Sequence, residues 1–181
     1  MGFDPTAAEE THRRLLEKWR SAMDLVGPGP LDPHFQDAAA AVSWIPAEGH
    51  WVDLGSGAGF PGIALAARHP EIRVSLVESR QKRAVFLKQV LLQSSLTNAE
   101  VLHQRSEALP HEQFHGVISR AYKPPQEALA EARKFLQPYG IAVLLLAKIA
   151  VPTCPGMEMF HVERYRIDGK ERSAVGFRKT D

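Results

Sequence analysis

The chain has a single cysteine, Cys154, among 181 residues. No intramolecular disulfide can form, which suits a reducing compartment, and a chain of this length can hold a core by packing alone. Long apolar runs are also missing. The longest, Ile141 to Ala147, stops at Lys148, far short of the ~20 residues a membrane helix needs. The first residues carry Asp4, Glu9 and Glu10 without an apolar stretch, so no secretory signal is expected, and the reading is a cytoplasmic chain with no membrane partner. Charge of one sign is lacking too. Lys and Arg number 22 against 21 Asp and Glu, a net charge of +1, so any nucleic-acid contact must come from local clusters. Three are present: Arg13, Arg14, Lys18 and Arg20; Arg80, Lys82, Arg83 and Lys88; and Arg164, Arg166, Lys170, Arg172, Arg178 and Lys179. Repeats, linkers and low-complexity stretches are absent, and the length fits one domain, 1–181, with 1–45 as an N-terminal helical extension. His111 and His115 have the i, i+4 spacing of a metal pair, but no third ligand stands near them, so no metal is expected. A monomer is expected.

What is present centres on His50 to Gly62, His-Trp-Val-Asp-Leu-Gly-Ser-Gly-Ala-Gly-Phe-Pro-Gly. Trp51, Val52 and Leu54 read as a buried strand. Gly55, Gly57 and Gly59 break it, and Pro61 suits the first turn of a helix whose apolar face is Ile63 to Ala67. Such a bend lets a ligand approach the backbone and aims N–H groups at it. Two readings fit. Gly57, Gly59 and Gly62 satisfy the dinucleotide fingerprint. Counted from Asp53, the residues give Asp-x-Gly-x-Gly-x-Gly, which resembles motif I of the S-adenosylmethionine-dependent methyltransferases. A carboxylate at Asp53 would repel a pyrophosphate and attract a sulfonium or an ammonium. Glu78 ends the next apolar run, Val74 to Glu78, at the distance where an acid takes ribose hydroxyls. Both cofactors carry that ribose, so Glu78 does not separate them.

The rest of the pattern supplies a fold. Thr6 and Glu9 form a capping box for a helix running to about Met23, with Leu15, Leu16 and Trp19 on one side. Gly27 to Pro30 halts it, and Asp37 to Trp44 is a second short helix. Strands at 51–55, 72–78, 99–104, 116–120 and 140–147 alternate with helices at 61–68, 80–94 and 125–136. This predicts an α/β fold, Rossmann-like, with a mostly parallel sheet and helices on both faces. Residues 160–167 and 173–178, about Asp168-Gly169, read as a closing antiparallel β-hairpin. A parallel sheet ending in such a hairpin resembles the class I methyltransferases.

Several segments in order resemble one family, the bacterial 16S ribosomal RNA guanine-N7 methyltransferases, also called glucose-inhibited division protein B. They are Trp19; His34-Phe-Gln-Asp37; Asp53 to Gly62 with its Phe-Pro-Gly ending; Glu78-Ser79-Arg-Gln-Lys82-Arg83; Phe86-Leu87; Arg105-Ser-Glu107; Ser119-Arg120-Ala121; and Leu146-Ala147-Lys148. The resemblance covers roughly residues 19 to 148. It implies S-adenosyl-L-methionine as cofactor and ribosomal RNA or the small ribosomal subunit as partner. It implies a cofactor site of Asp53, Gly55, Ser56, Gly57, Gly59, Phe60, Glu78, Ser79, Ser106, Glu107 and Arg120. In it Glu78 takes the ribose, and Ser106 and Glu107 border the adenine. Arg120 stands where cofactor and base meet, and Lys148 faces the same cleft; these two are the candidate catalytic residues.

Each assignment has a plainer alternative. Glu78 could be a strand-end salt bridge, Arg105 with Glu107 an exposed pair, Arg120 a structural clamp, and His34 with Asp37 a cap for the short helix. Four positions depart from the family pattern: Pro33 where an arginine is usual, His115 for an aspartate, Ile149 for a glycine and Glu78 for an aspartate. These departures leave open a methyltransferase acting on another RNA or a small molecule, or a non-catalytic module that binds the cofactor or RNA.

Overall fold

A computed structural model describes residues 4–23, 25–46, 48–147 and 151–181. The element order is α1 (Ala7–Met23), α2 (Asp32–Val42), β1 (His50–Leu54), α3 (Gly62–Arg68), β2 (Arg73–Val77), α4 (Gln81–Ser94) and β3 (Ala99–Leu102). A short 3-10 turn (Ser106–Ala108) precedes β4 (Phe114–Arg120), α5 (Pro125–Phe135), β5 (Leu136–Leu146), β6 (Met157–Ile167) and β7 (Lys170–Lys179). The seven strands form one sheet in the order β3-β2-β1-β4-β5-β7-β6. β1 to β5 pair in parallel, and β7 enters antiparallel between β5 and β6.

Alternation along β1 shows how the sheet separates two cores. Trp51 faces the side covered by α1 to α4, with Leu16, Phe35, Ile63 and Phe86. Val52 and Leu54 face the other side, with Leu129 and Phe135 of α5 and Val175 and Phe177 of β7. Period-two alternation with helices on both faces is what a doubly covered parallel sheet requires.

Several boundaries differ from expectation. α2 begins at Asp32, five residues before the anticipated Asp37, because Pro33 sits in its first turn, where a missing N–H costs nothing. β5 begins at Leu136, directly after α5, rather than at residue 140. The pairing with β4 jumps from Phe114–Leu136 to Gly116–Ile141, so an irregularity with Tyr139 at φ 64° absorbs the extra residues. β6 starts at Met157, and β3 ends two residues early.

α1 opens on the expected capping box. The Thr6 N–H donates to Glu9 Oε2 at 2.8 Å and the Glu9 N–H to Thr6 Oγ1 at 3.2 Å. Glu9 is buried and also accepts two bonds from Arg68 of α3, at 2.9 and 2.8 Å. The cap thus anchors α1 to α3 as well as starting it. Thr6→Ala is expected to lower stability by about 1 kcal/mol, read as a lower urea midpoint at unchanged slope.

Candidate cofactor and acceptor site

β2, β1 and β4 are adjacent and parallel, so Val77, Leu54 and Arg120 end at the same edge of the sheet, the edge where open α/β sheets bind ligands. The glycine bend leaves β1 there. Gly55, Gly57 and Gly59 all have positive φ, at 68°, 55° and 97°, a conformation that glycine takes at little cost.

The bend is tied down by its own protein. The Ser56 N–H donates to Val77 O at 3.0 Å and the Gly59 N–H to Ser56 O at 2.7 Å. The Gly57 N–H donates to Glu78 Oε2 at 3.0 Å, and the Gly62 N–H at the start of α3 donates to Asp53 Oδ2 at 3.1 Å. The expectation of N–H groups aimed at a ligand therefore fails at these four positions. A pyrophosphate would need such donors. The loop suits a ligand that packs against its backbone beside a carboxylate.

The candidate residues separate into layers. Gly55 and Gly57 are half-exposed, while Ser56, Gly59 and Phe60 are buried. Asp53 is fully buried beneath the bend and has no contact with solvent. It holds the loop from beneath, and is not the surface carboxylate its position suggested. Burial, partly offset by bonds from Ser56 and Gly62, lifts its carboxyl from an ordinary 3.8 to about 7. Glu78 is 5% exposed at the end of β2; its Oε1 accepts from the Arg80 N–H at 2.7 Å while Oε2 holds Gly57. Backbone N–H groups, and not an arginine side chain, hold this carboxylate. Each oxygen retains acceptor capacity for a diol. Ser79 is exposed beside it.

The Ser106 side chain turns inward. Its Oγ lies 2.5 Å from Tyr122 Oη and 2.6 Å from Glu131 Oε1. Burial pushes the Glu131 carboxyl up, but Lys123 Nζ at 2.6 Å and Ser106 hold it below the ordinary range. Only its backbone remains for bordering an adenine. Glu107 is exposed and 3.9 Å from Lys123, so its pairing is with Lys123 rather than with Arg105. The Tyr122 ring stands over Gly55 so closely that a Cβ there would overlap it.

Phe60 does not line the bend. Its ring packs against His12 at 4.8 Å, Phe35 at 4.9 Å and His34 at 5.6 Å, and carries the Arg120 guanidinium at 4.8 Å. Arg120 Nη1 also donates to Asp37 Oδ2 at 3.0 Å. The structural-clamp and cleft-facing readings of Arg120 therefore coexist: it is clamped, and it lines a cleft of about 680 Å³. That cleft is bounded by His34 and Asp37 of α2, Ser119 to Lys123 after β4, Leu144 to Ala147 of β5, and Arg172 of β7. Its size suits a small organic ligand. The glycine bend is not among its walls; Tyr122 stands between the two. Lys148 and Ile149 lie outside the described residues. His115 sits five residues before Arg120, at the opposite end of β4, where its Nδ1 accepts from the His50 N–H at 3.2 Å. This departure from the family pattern is remote from the cleft. Among the described residues, no group of three or more His, Cys, Asp or Glu is placed to hold a metal ion, and no helix is long and apolar enough to cross a membrane.

Sequence reasoning missed His12, Tyr122 and Tyr165. His12 shares the buried face of α1 with Leu15 and Leu16, and that periodicity was its only signal. Its Nε2 donates to Ala58 O, 2.7 Å away, inside the glycine bend. Burial lowers its pKa to about 4, so the ring is neutral and α1 locks the bend without adding charge. Tyr122 and Tyr165 offered no pattern, since their partners are distant in the chain.

The raised Asp53 carboxyl gives a pH test. The folded chain retains a proton that the unfolded chain has lost, so between pH 3.8 and about 7 stability falls as pH rises. His12 acts oppositely from about pH 4 to 6.5, and comparison with a single variant cancels it. Asp53→Asn is expected to gain stability relative to the wild type across that window and to hold a constant difference above it. Urea unfolding at pH 4, 5.5 and 7.5 measures this; a constant difference throughout would contradict the assignment.

The profile described as GidB, rRNA small subunit methyltransferase G, matches residues 9–151. A ribosomal RNA small subunit methyltransferase G of Paracoccus denitrificans is 36% identical over 140 residues, covering 75% of this chain and 72% of that protein. One of Pseudomonas aeruginosa is 41% identical over 113 residues, covering 60% of this chain and 53% of its own length; against that relative the match spans about half the protein. In fold, the chain is similar to the magnesium protoporphyrin IX methyltransferase of Synechocystis, solved with bound SAM (TM-score 0.68, 13% identity, 99% of this chain and 100% of that one). It is also similar to a predicted O-methyltransferase of Agrobacterium tumefaciens (TM-score 0.58, 23% identity, 80% of each chain). The sheet is that of the class I methyltransferases, and the matched span contains the glycine bend, Glu78 and Arg120: the chain belongs to the rRNA small subunit methyltransferase G family.

Proposed function

We propose that the protein transfers a methyl group from S-adenosylmethionine to N7 of a guanine in 16S ribosomal RNA. The observation that carries this reading is the convergence, in a member of this family, of the half-exposed Gly55 and Gly57, the strand-end Glu78 and the cleft-lining Arg120 at one edge of the sheet. Gly55 to Gly59 and Glu78 would hold the cofactor, with Glu78 taking the ribose hydroxyls and the backbone around Ser79, Ser106 and Glu107 bordering the adenine. Bound there, S-adenosylmethionine supplies a methyl group on a positively charged sulfur.

The acceptor asks for no base. Guanine N7 has a free lone pair at neutral pH and no proton to remove. What remains for the protein is alignment, an effect worth about 7–11 kcal/mol. Arg120, fixed by Asp37 and Phe60, offers the fork that pairs with guanine O6 or a phosphate. The neighbouring cleft admits an unstacked base, the state in which RNA is read.

The decisive assay offers labelled S-adenosylmethionine with small subunits and naked rRNA lacking the modification. Label recovered as 7-methylguanosine is expected; no label from a preparation that binds the cofactor would contradict the reading and point to another acceptor. Glu78→Ala is expected to weaken cofactor binding by roughly 1.5–3 kcal/mol, the range for a hydrogen bond to a charged group. Unchanged affinity by calorimetry would remove Glu78 from the site.

A further inference from the structure

Arg120 is held from a part of the chain beyond the family match. Tyr165 lies on β6, past residue 151 where that match ends. Its hydroxyl donates to Asp37 Oδ1 at 2.9 Å, while Arg120 Nη1 donates to Asp37 Oδ2 at 3.0 Å. One carboxylate, 8% exposed on α2, thus divides its two oxygens between β6 and the end of β4. Among the described residues Asp37 is the only hydrogen-bond partner of the Arg120 side chain.

We propose that Tyr165 is a positioning residue for methyl transfer, fixing through Asp37 the direction in which Arg120 meets the acceptor base; this rests on the rRNA-methylating reading above. Without the hydroxyl, the carboxylate is free to turn about its Cβ–Cγ bond. It can then take Arg120 with both oxygens, the fork geometry that guanidinium prefers. That turn would draw the guanidinium toward α2 and out of register with the cleft. The tyrosine is suited to the task. It is half-buried, and burial together with the negative charge of Asp37 raises its pKa, so the hydroxyl remains a donor throughout the physiological range. On β7, its direct cross-strand partner is Arg172, which lines the same cleft. The closing hairpin therefore faces the acceptor side, and not the cofactor side.

Tyr165→Phe in the full chain tests this, since it keeps the ring and removes only the bond. Misplacement of a reacting group by about 1 Å can cost on the order of 100-fold. The expected result is a fall in kcat of about 10- to 100-fold on unmodified rRNA, with S-adenosylmethionine affinity and the KM for RNA unchanged. Nitrogen-15 NMR of the arginine side chains supplies a readout independent of turnover. The Arg120 Nε and Nη resonances are expected to move in Tyr165→Phe, as one bond to Asp37 gives way to two. Asp37→Asn, which takes the carboxylate away from Arg120, should also lower kcat. Arg120 resonances unchanged by loss of the hydroxyl would overturn the proposal, as would unchanged kcat in an active enzyme. If the wild type transfers no methyl to rRNA, the acceptor reading fails, and the NMR comparison alone decides whether Tyr165 fixes Arg120.

Discussion

The structure depends on two buried carboxylates that grip one glycine bend. Asp53 takes the N–H that opens α3, and Glu78 takes the N–H of Gly57. Together with carbonyl partners for Ser56 and Gly59, they occupy four N–H groups of the kind that make glycine bends anion sites elsewhere. The bend presents bare backbone at Gly55 and Gly57 beside a negative charge. That combination disfavours pyrophosphate and favours a nucleoside carrying positive charge. The choice between two cofactors, open from the glycine spacing alone, is settled by the family, and the hydrogen bonds of the bend agree with it.

Around this bend the N-terminal helices act as a lock. Neutral His12 of α1 donates into the bend at Ala58, and α2 supplies Asp37 to Arg120. Phe60, from the bend itself, packs between His12 and His34 and supports Arg120. The glycine bend, the N-terminal helices and Arg120 therefore share one packed cluster. A substitution at His12 in α1 would reach Arg120 through Phe60.

The fold was largely legible because its signals are local. Alternating apolar strands and helices, the Thr6–Glu9 box and the Asp168-Gly169 turn each name an element within a few residues. The site was half legible. Gly55, Gly57 and Glu78 follow from spacing, and the structure puts them at the expected edge of the sheet. The direction of side chains did not follow. Asp53 turned out to be sealed under the bend, Phe60 to be a support, and Ser106 to face Tyr122 and Glu131. Tyr165 and Asp37 are 128 positions apart, and nothing in either neighbourhood announces the pair. Tertiary packing decides such contacts, and periodicity carries no record of them.

The most direct test of the account is competition for the glycine bend. Titration calorimetry with S-adenosylmethionine, repeated in saturating NAD, compares the two ligands on the wild-type chain. The account predicts one saturable S-adenosylmethionine site whose affinity NAD leaves unchanged. Displacement by NAD at comparable affinity would contradict it, because the bend would then have donors to spare for a pyrophosphate.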